Sequence, residues 1–165
     1  MKLHYPVKDA RIVQPFGVNQ TGVLDFYTRF GLPAHEGVDF HAATGTPVYA
    51  CADGIVSRVE RIPFEGSGSA YGIQVRIEHR LSDATYETIY AHLQAVEGRI
   101  VLNKIVTQGD IIGLSDSTGN APTPHLHLSL KKRGATARGE KQQLGNGLWV
   151  VYPSDLVNPT PFFVT

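Results

Sequence analysis

Several features that support other functions are scarce or absent in this 165-residue sequence. Its single cysteine, Cys51, excludes an internal disulfide and any metal site built from several cysteines. The 15 basic and 15 acidic side chains cancel, so no charge excess attracts nucleic acid or an anionic membrane. No apolar run approaches the ~20 residues of a membrane span, and the N-terminal stretch lacks the apolar core of a signal peptide. We therefore expect a soluble chain whose partners are neither nucleic acid nor membrane.

Helical periodicity is also scarce. Residues 20–31 could form one short helix, whereas seven segments rich in Val, Ile, Tyr and Thr have the composition of strands. Turns containing Gly and Pro separate these segments. The pattern predicts one mostly β domain over residues 1–165, with an antiparallel sheet folded as a sandwich or small barrel and a loop-walled groove. The predicted strands lie within 46–52, 54–62, 72–80, 84–93, 103–109, 110–116 and 124–132.

Two segments near the C-terminus carry weaker signals. Residues 134–147 are polar and rich in glycine, which predicts a surface loop or a loosely packed hairpin beside the last predicted strand. The tail ends in Phe162 and Phe163, whose apolar rings we expect to pack on the body of the domain.

The segment "TPHLHLSL" places two histidines one residue apart in an apolar run. Side chains alternate along a strand, so His125 and His127 would share one face while the leucines occupy the other. Their backbone positions would be roughly 6.5–7 Å apart, close enough for both rings to contact one small object. A single histidine here would be an ordinary core residue, but a pair on one face is a stronger indication of metal binding.

Two further segments offer groups of the same chemistry. In "AHEGVDF", His35 and Asp39 are four residues apart, about 13 Å in a straight strand, so they could share a metal only across a turn at Gly37. In "IYAHL", His92 lies near the end of a predicted strand. Catalytic zinc usually has three N or O protein ligands and an open fourth position, which these histidines and Asp39 could supply. Each segment alone is also consistent with a solvated turn or a packed histidine.

In this order, "HEGVDF", "YAHL" and "PHLHLSL" resemble the lysostaphin-like (LytM-type) zinc metallopeptidases, which cut peptide bonds in bacterial cell-wall peptidoglycan. Flanking segments extend the resemblance over almost the whole chain: "QPFG" at 14–17, "ATGTPVYACADGIVSRVE" at 43–60, "VTQGDIIGLSDSTGN" at 106–120 and "VNPTPFF" at 157–163. The resemblance implies that His35, Asp39 and His127 bind one zinc ion. His92 and His125 would then stand beside the metal as catalytic histidines.

The chemistry implied is hydrolysis by a zinc-activated water, assisted by these two histidines. The chain has no His-Glu-x-x-His segment, so the glutamate base of that metalloprotease class is missing. Imidazole titrates near neutral pH, so His92 and His125 are the natural replacements for the missing glutamate base. The sequence does not assign the acid and base roles between them.

Other polar candidates are expected to have structural roles or none. We expect His41 to share the strand face of Asp39 without binding metal, His79 to be structural and His4 to be inert. Glu36 should point away from the neighbouring ligand if the chain is extended there. Cys51, in an apolar stretch, is expected to be a buried structural thiol.

Two alternative functions remain open at this point. A catalytically inactive peptidoglycan-binding or regulatory domain could have the same fold, although all five site residues are present. A biotinyl or lipoyl carrier could explain "PVYACADGIVSRV" and "KIVTQGDIIG", but no lysine lies at a tight turn between them. For the peptidase we expect a monomer that acts on peptidoglycan peptides outside the cytoplasm, in the cell envelope or associated with phage.

Overall fold

The computed structural model describes residues 1–19, 27–28, 31–62, 70–134, 141–143, 147, 149–152 and 155–164. They include a three-residue 3-10 turn, Thr160–Phe162. No helix in these segments has the length and apolarity required to cross a membrane. The strands are β1 Ile12–Gln14, β2 Val38–Phe40, β3 Pro47–Tyr49, β4 Gly54–Glu60, β5 Ile73–Arg80, β6 Thr85–Val96, β7 Ile105–Val106, β8 Ile111–Ser115, β9 Leu126–Arg133, β10 Lys141–Gln143, β11 Trp149–Val151 and β12 Leu156–Val157.

Ten of these strands form one sheet in the order β1-β2-β9-β6-β5-β4-β7, with β12 beside β9, and β8 joining β3 to β6. The named strands pair antiparallel, and β10 and β11 form a separate hairpin. The prediction of a mostly β, antiparallel fold is confirmed, and the sheet is open. All seven predicted strand segments contain a strand. Most of the predicted helix at 20–31 lies outside the described residues.

The central strands β9, β6 and β5 give the sheet two chemically different faces. Leu126, Leu128 and Leu130 are completely buried on one face, where Tyr90 and Ile77 from the neighbouring strands join them in the core. The intervening residues of β9 face the opposite side and are polar. The alternation predicted from "HLHLSL" is therefore present, and the polar face carries the candidate site.

The two ends of the chain meet on the body of the domain. Leu3 forms a parallel bridge with Phe163, whose ring stacks on Tyr5 with centroids 5.0 Å apart. The same ring contacts Phe40 edge to face at 5.6 Å. The predicted packing of the terminal phenylalanines is confirmed.

A buried chain of polar groups crosses the core away from the candidate site. The His79 ring contacts the Asp53 carbonyl at 2.7 Å and the Thr88 hydroxyl at 2.8 Å, and Thr88 contacts the Tyr90 hydroxyl at 3.2 Å. The backbone N–H of Cys51 donates to that hydroxyl at 2.8 Å. Burial raises the pKa of the Cys51 thiol to about 12, so this thiol is not a nucleophile at neutral pH. His79 and Cys51 have the structural roles expected from the sequence.

Candidate active site

Three buried side chains converge on the polar face of the sheet. The Nε2 atom of His35 is 3.2 Å from Oδ1 of Asp39 and 3.1 Å from Nδ1 of His127. Nδ1 of His127 and Oδ1 of Asp39 are 2.8 Å apart. Ligand atoms of a tetrahedral zinc site, at 2.0–2.1 Å from the metal, are separated by about 3.3 Å. The three atoms therefore have the mutual spacing required to hold one small metal ion.

Sheet register explains why two of these residues meet. Asp39 in β2 is paired directly with His127 in β9, and directly paired residues of antiparallel strands have their side chains on the same face. His35 precedes β2 and reaches the same point because the chain bends at Gly37. The three residues are separated by up to 92 positions in sequence but occupy one small volume.

The bend at Gly37 is present, and packing rather than a left-handed backbone requires a glycine there. Gly37 is not among the glycines with positive φ. A Cβ atom at this position would lie 2.6 Å from the Leu128 carbonyl oxygen and 2.6 Å from Cε1 of His127. Glycine is needed because the His127 ring lies directly against the backbone.

We expect Gly37→Ala to displace the His127 ring, weaken metal binding and destabilise the fold by about 1–3 kcal/mol, the usual cost of overpacking. Zinc affinity and denaturant unfolding measure the two effects. Gly98→Ala is the matched control, because a Cβ at Gly98 meets nothing within 4 Å. Equal zinc affinity in the two variants would contradict this account.

Hydrogen bonds fix both the ring and the backbone of His35. Its Nδ1–H donates to the carbonyl of Pro15 at 3.0 Å, which leaves the Nε2 lone pair directed at the cluster. The His35 carbonyl accepts hydrogen bonds from the Tyr152 hydroxyl and the Gly17 N–H, both at 2.9 Å. The "QPFG" segment therefore fixes the position of this histidine.

Asp39 is ionised in this environment. Burial on its own would raise the pKa of the carboxyl group, but its contacts with the His127 and His35 rings hold that pKa well below its usual range. A carboxylate between two imidazole nitrogens is a donor set that suits zinc, with two N ligands and one O ligand.

His92 reaches the site through an irregularity in β6. Tyr90 pairs with Leu128 and Val75 on the core face, so His92, two residues later, would share that face in a regular strand. A β-bulge occurs at this point, and His92 has φ 59°, which is uncommon outside glycine. The bulge turns the ring onto the polar face, where its centroid is 5.8 Å from that of His127.

His92 and His125 form a second pair beside the three convergent groups. Each donates its Nδ1–H to a backbone carbonyl, that of Thr118 at 2.7 Å and that of Thr123 at 2.8 Å respectively. The ring centroids are 4.8 Å apart, and Nε2 of His125 is 3.7 Å from Oδ1 of Asp39. Because both Nδ1 atoms donate to carbonyls, both Nε2 atoms are available to a substrate or water.

Two glycines hold the carbonyl group that orients His92. A Cβ at Gly72 would lie 2.4–2.5 Å from the Thr118 carbonyl, and one at Gly119 would lie 2.5 Å from the Gly72 nitrogen. Both glycines have positive φ, 62° and 78°. Their close packing joins the start of β5 to the turn after β8, so these two segments position His92 together.

Residues 33–139 match Peptidase family M23. The chain belongs to this family. It is 36% identical over 132 residues to DD-carboxypeptidase/endopeptidase Mpg of Neisseria meningitidis, covering 78% of the chain and 26% of that protein. It is 36% identical over 110 residues to peptidoglycan DD-endopeptidase ShyA of Vibrio cholerae, covering 67% and 23%. The chain thus spans about a quarter of the length of these curated relatives.

Solved structures agree with the family assignment. A zinc-containing peptidase from Vibrio cholerae is 28% identical, with a TM-score of 0.60 over 81% of this M23 chain and 37% of that chain. The catalytic domain of lysostaphin from Staphylococcus simulans is 22% identical and shares the fold, with a TM-score of 0.61 over 92% and 90%. The resemblance to lysostaphin-like peptidases, first identified from three short motifs, is confirmed.

The M23 site continues on the far side of His127, which the sequence interpretation missed. Nε2 of His127 is 2.7 Å from the Ser129 hydroxyl and 3.5 Å from Oε1 of Glu36, and the Tyr71 ring lies beside His127 with the two centroids 5.6 Å apart. Glu36 was expected to point away from the neighbouring ligand if the chain were extended there. The chain bends at Gly37 instead, and the Glu36 carboxylate reaches behind His127. Strand alternation could have identified Ser129, which lies two residues after His127 on the same face.

Two alternative metal groupings share His35 and His127. In the first set the third residue is Asp39. In the second set it is Glu36, which has a carboxylate oxygen within 4.8 Å of a ring nitrogen of each histidine. Glu36 approaches Nε2 of His127, whereas His35 and Asp39 approach Nδ1. The atoms of the Asp39 grouping are within 3.2 Å of one another, which matches a tetrahedral metal more closely, so we favour this grouping.

The remaining histidines lie outside the M23 site. His41 follows the end of β2, and its exposed ring pairs with Asp9 at 3.4 Å. His4 is exposed, and its backbone N–H donates to the Cys51 carbonyl. Of the segment predicted as a loop or hairpin, residues 141–143 pair with 149–151 as a hairpin, and most of the rest lies outside the described residues.

Proposed function

We propose that this M23 chain is a zinc-dependent endopeptidase that hydrolyses peptide bonds in bacterial peptidoglycan, with residues 1–165 acting as one catalytic domain. The observation that carries the proposal is the convergence of three ligand atoms within 3.2 Å of one another, with two histidine Nε2 atoms beside them. The named activities of Mpg and ShyA support the peptidoglycan substrate, and the zinc-containing peptidase of similar fold supports the metal.

In this proposal, Nε2 of His35, Oδ1 of Asp39 and Nδ1 of His127 would hold the zinc ion. Two histidines and one carboxylate are a ligand set typical of catalytic zinc sites, which also bind water or substrate. When bound, zinc lowers the pKa of a coordinated water from 15.7 to ≈ 7 and polarises a substrate carbonyl. Peptide hydrolysis then requires groups that accept the water proton and deliver one to the leaving amine.

His92 and His125 supply those groups at their Nε2 atoms. Burial, together with the neighbouring His127 and His125, lowers the pKa of His92 to about 3. His92 is therefore neutral at neutral pH and presents an acceptor. His125 is the more exposed of the pair, with 13% of its side chain accessible to solvent, whereas His92 is buried. Both rings are fixed by their Nδ1–H bonds, so the proton is exchanged at a defined position.

The substrate implies a location outside the cytoplasm, where peptidoglycan lies. We propose that the chain acts in the cell envelope, outside the cell, or as part of a phage. The bond cleaved is a peptide bond in a cross-bridge or in a stem peptide.

The proposal is tested by metal analysis of the purified chain and by digestion of peptidoglycan from several wall types, with mass spectrometry of the products. We expect close to one equivalent of zinc and new peptide termini within stems or cross-bridges. Chelation should abolish product formation, and added zinc should restore it. Zinc-loaded protein that binds walls but releases no peptide would contradict the peptidase proposal and favour the inactive binding domain.

A further inference from the structure

The polar face of the sheet carries an arginine two strands away from the proposed metal centre. Arg76 in β5 pairs directly with Ile89 in β6, and Ile89 pairs with Ser129 in β9. Ser129 follows His127 by two residues, so Arg76 lies on the same face of the sheet as His127. Its neighbour Val75 is completely buried in the core on the opposite face. The arginine side chain is therefore on the side of the sheet that holds the site.

The Tyr71 ring connects this arginine to the site. Its centroid is 5.6 Å from that of His127 and 5.9 Å from the Cζ atom of Arg76. The two distances together equal the length of about three residues of extended peptide, which advances by roughly 3.2–3.4 Å per residue. A short extended peptide cleaved beside His127 is therefore long enough to reach the Arg76 guanidinium.

The positive charge of Arg76 is incompletely compensated by the residues that the structure describes. Its one ion pair among them is with Glu87, at 3.8 Å from Nη1. The same carboxylate is 2.6 Å from Arg133 and accepts a hydrogen bond from Ser57 at 2.8 Å. The close hydrogen bond of Arg76 runs from Nε to the neutral amide of Gln74, at 2.8 Å. Glu87 is thus mainly the partner of Arg133.

A second cation lies opposite Arg76 in the sheet. Arg58 in β4 is paired directly with it, and like charges in directly opposite positions are destabilising. Glu60 compensates Arg58, since one of its oxygens accepts a hydrogen bond from Arg58 and the other accepts one from Gln74 at 2.6 Å. Only 17% of the Arg76 side chain is exposed, so water screens its charge less than on an open surface. A carboxylate bound at this guanidinium would supply the missing negative charge.

We propose that Arg76 binds a carboxylate of the peptide substrate and so selects peptides that carry this group within about three residues of the cleaved bond. The inference rests on the proposed function, because it names a feature of the substrate cleaved beside His127. Arg76 is a specificity-determining residue that takes no part in proton transfer. The planar fork of N–H groups on a guanidinium matches the two oxygens of a carboxylate, which a lysine ammonium does not.

The chain offers variants that separate recognition from structure. Arg76→Gln removes the charge, and Arg76→Lys keeps the charge but loses the fork. Arg133→Gln is the matched control, because Arg133 makes the closer contact with Glu87 but has half of its side chain exposed at the end of β9. If Arg76 served only to neutralise Glu87, Arg133→Gln would have at least as large an effect as Arg76→Gln.

The substrates for the test are stem peptides purified from peptidoglycan, each prepared with one carboxylate at a time converted to an amide. Steady-state kinetics of the zinc-loaded chain give kcat and KM, and calorimetry on the zinc-free chain gives the peptide Kd. For the wild type we expect one amidation to raise KM and Kd by about 10–100-fold with kcat little changed, as for a lost hydrogen bond to a charged group.

Arg76→Gln should raise KM for the unmodified peptide by a similar factor, and the decisive amidation should then have no further effect. Arg76→Lys should retain part of the preference for the carboxylate, and Arg133→Gln should retain all of it. Unfolding curves establish that each variant is folded, and the comparison of two peptides on one variant is independent of its stability.

The results separate this inference from the function on which it rests. Equal binding and cleavage of all amidated peptides by the wild type would overturn the carboxylate site and leave the peptidase proposal standing. A preference that survives in Arg76→Gln, or disappears equally in Arg133→Gln, would also overturn it. A wild type that binds the unmodified peptide more tightly than one amide, loses this preference in Arg76→Gln and cleaves neither would support the carboxylate site and contradict the peptidase proposal.

Discussion

Asp39→Asn is expected to weaken zinc binding by more than about 100-fold and to abolish hydrolysis at low zinc concentration. Loss of a residue that only supports a ligand costs 10–100-fold in affinity, so loss of a ligand should exceed that range. The amide is neutral and holds a cation less strongly than the carboxylate. Its NH₂ group can also be turned toward the two imidazole nitrogens, 2.8 and 3.2 Å away, and then competes with the metal for them. Zinc content, zinc Kd and product release from peptidoglycan measure the effect.

Asp9→Asn provides the matched control for this substitution. Asp9 also pairs with a histidine, His41, at 3.4 Å, but both side chains are at least half exposed and lie outside the site. We expect Asp9→Asn to retain wild-type zinc affinity and activity. Retained zinc binding in Asp39→Asn would remove Asp39 from the proposed ligand set, and the Glu36 grouping would take its place.

His125→Ala and His92→Ala are each expected to lower kcat by about 10²–10⁴-fold while zinc remains bound. That range is the usual contribution of a positioned general acid or base. Nε2 of His125 is 3.7 Å from Oδ1 of Asp39, farther than Nδ1 of His127 at 2.8 Å. The Nδ1 atoms of His92 and His125 both donate to backbone carbonyls. The substitutions should therefore leave the amount of zinc bound per chain unchanged, and this distinguishes their effect from that of Asp39→Asn.

His41→Ala is the control for this pair, since His41 is exposed and only two residues from Asp39. Activity, zinc content and a pH profile should be measured together on all three variants. Loss of one limb of the profile in each single variant would assign the acid and the base. Full activity in zinc-loaded His125→Ala would exclude it as a catalytic residue.

The sequence predicted those parts of this molecule that depend on local alternation or on ordered motifs. The strands from 46 to 132 could be recognised because Val, Ile, Tyr and Thr recur between Gly and Pro turns. The opposite faces of His127 and Leu128 follow from the two-residue period of a strand. The three motifs identified the family, because their order and spacing are far more specific than any single histidine.

The missed features depend on contacts between distant segments. β2 is only three residues long and was not among the seven predicted strands, because its pairing with β9 is not encoded locally. The need for Gly37 arises from the His127 ring, 90 residues later. Glu36 could not be placed without knowing the bend, and Tyr71 carries no local signal that it lies beside His127. Tertiary packing determined each of these outcomes.

The bulge in β6 has a consequence for the history of such domains. The orientation of His92 depends on one additional residue in the strand, whereas the three proposed ligands depend on the register of β2 with β9 and on the bend at Gly37. Deletion of Ala91 would restore regular pairing and place the imidazole directly after Tyr90, at the strand position that now pairs with His127. The ring would leave the place from which it donates to the Thr118 carbonyl. Such a descendant would keep the three proposed metal donors but lose the orientation of one proposed proton-transfer group, so a metal-binding relative with little activity is one short mutational step away.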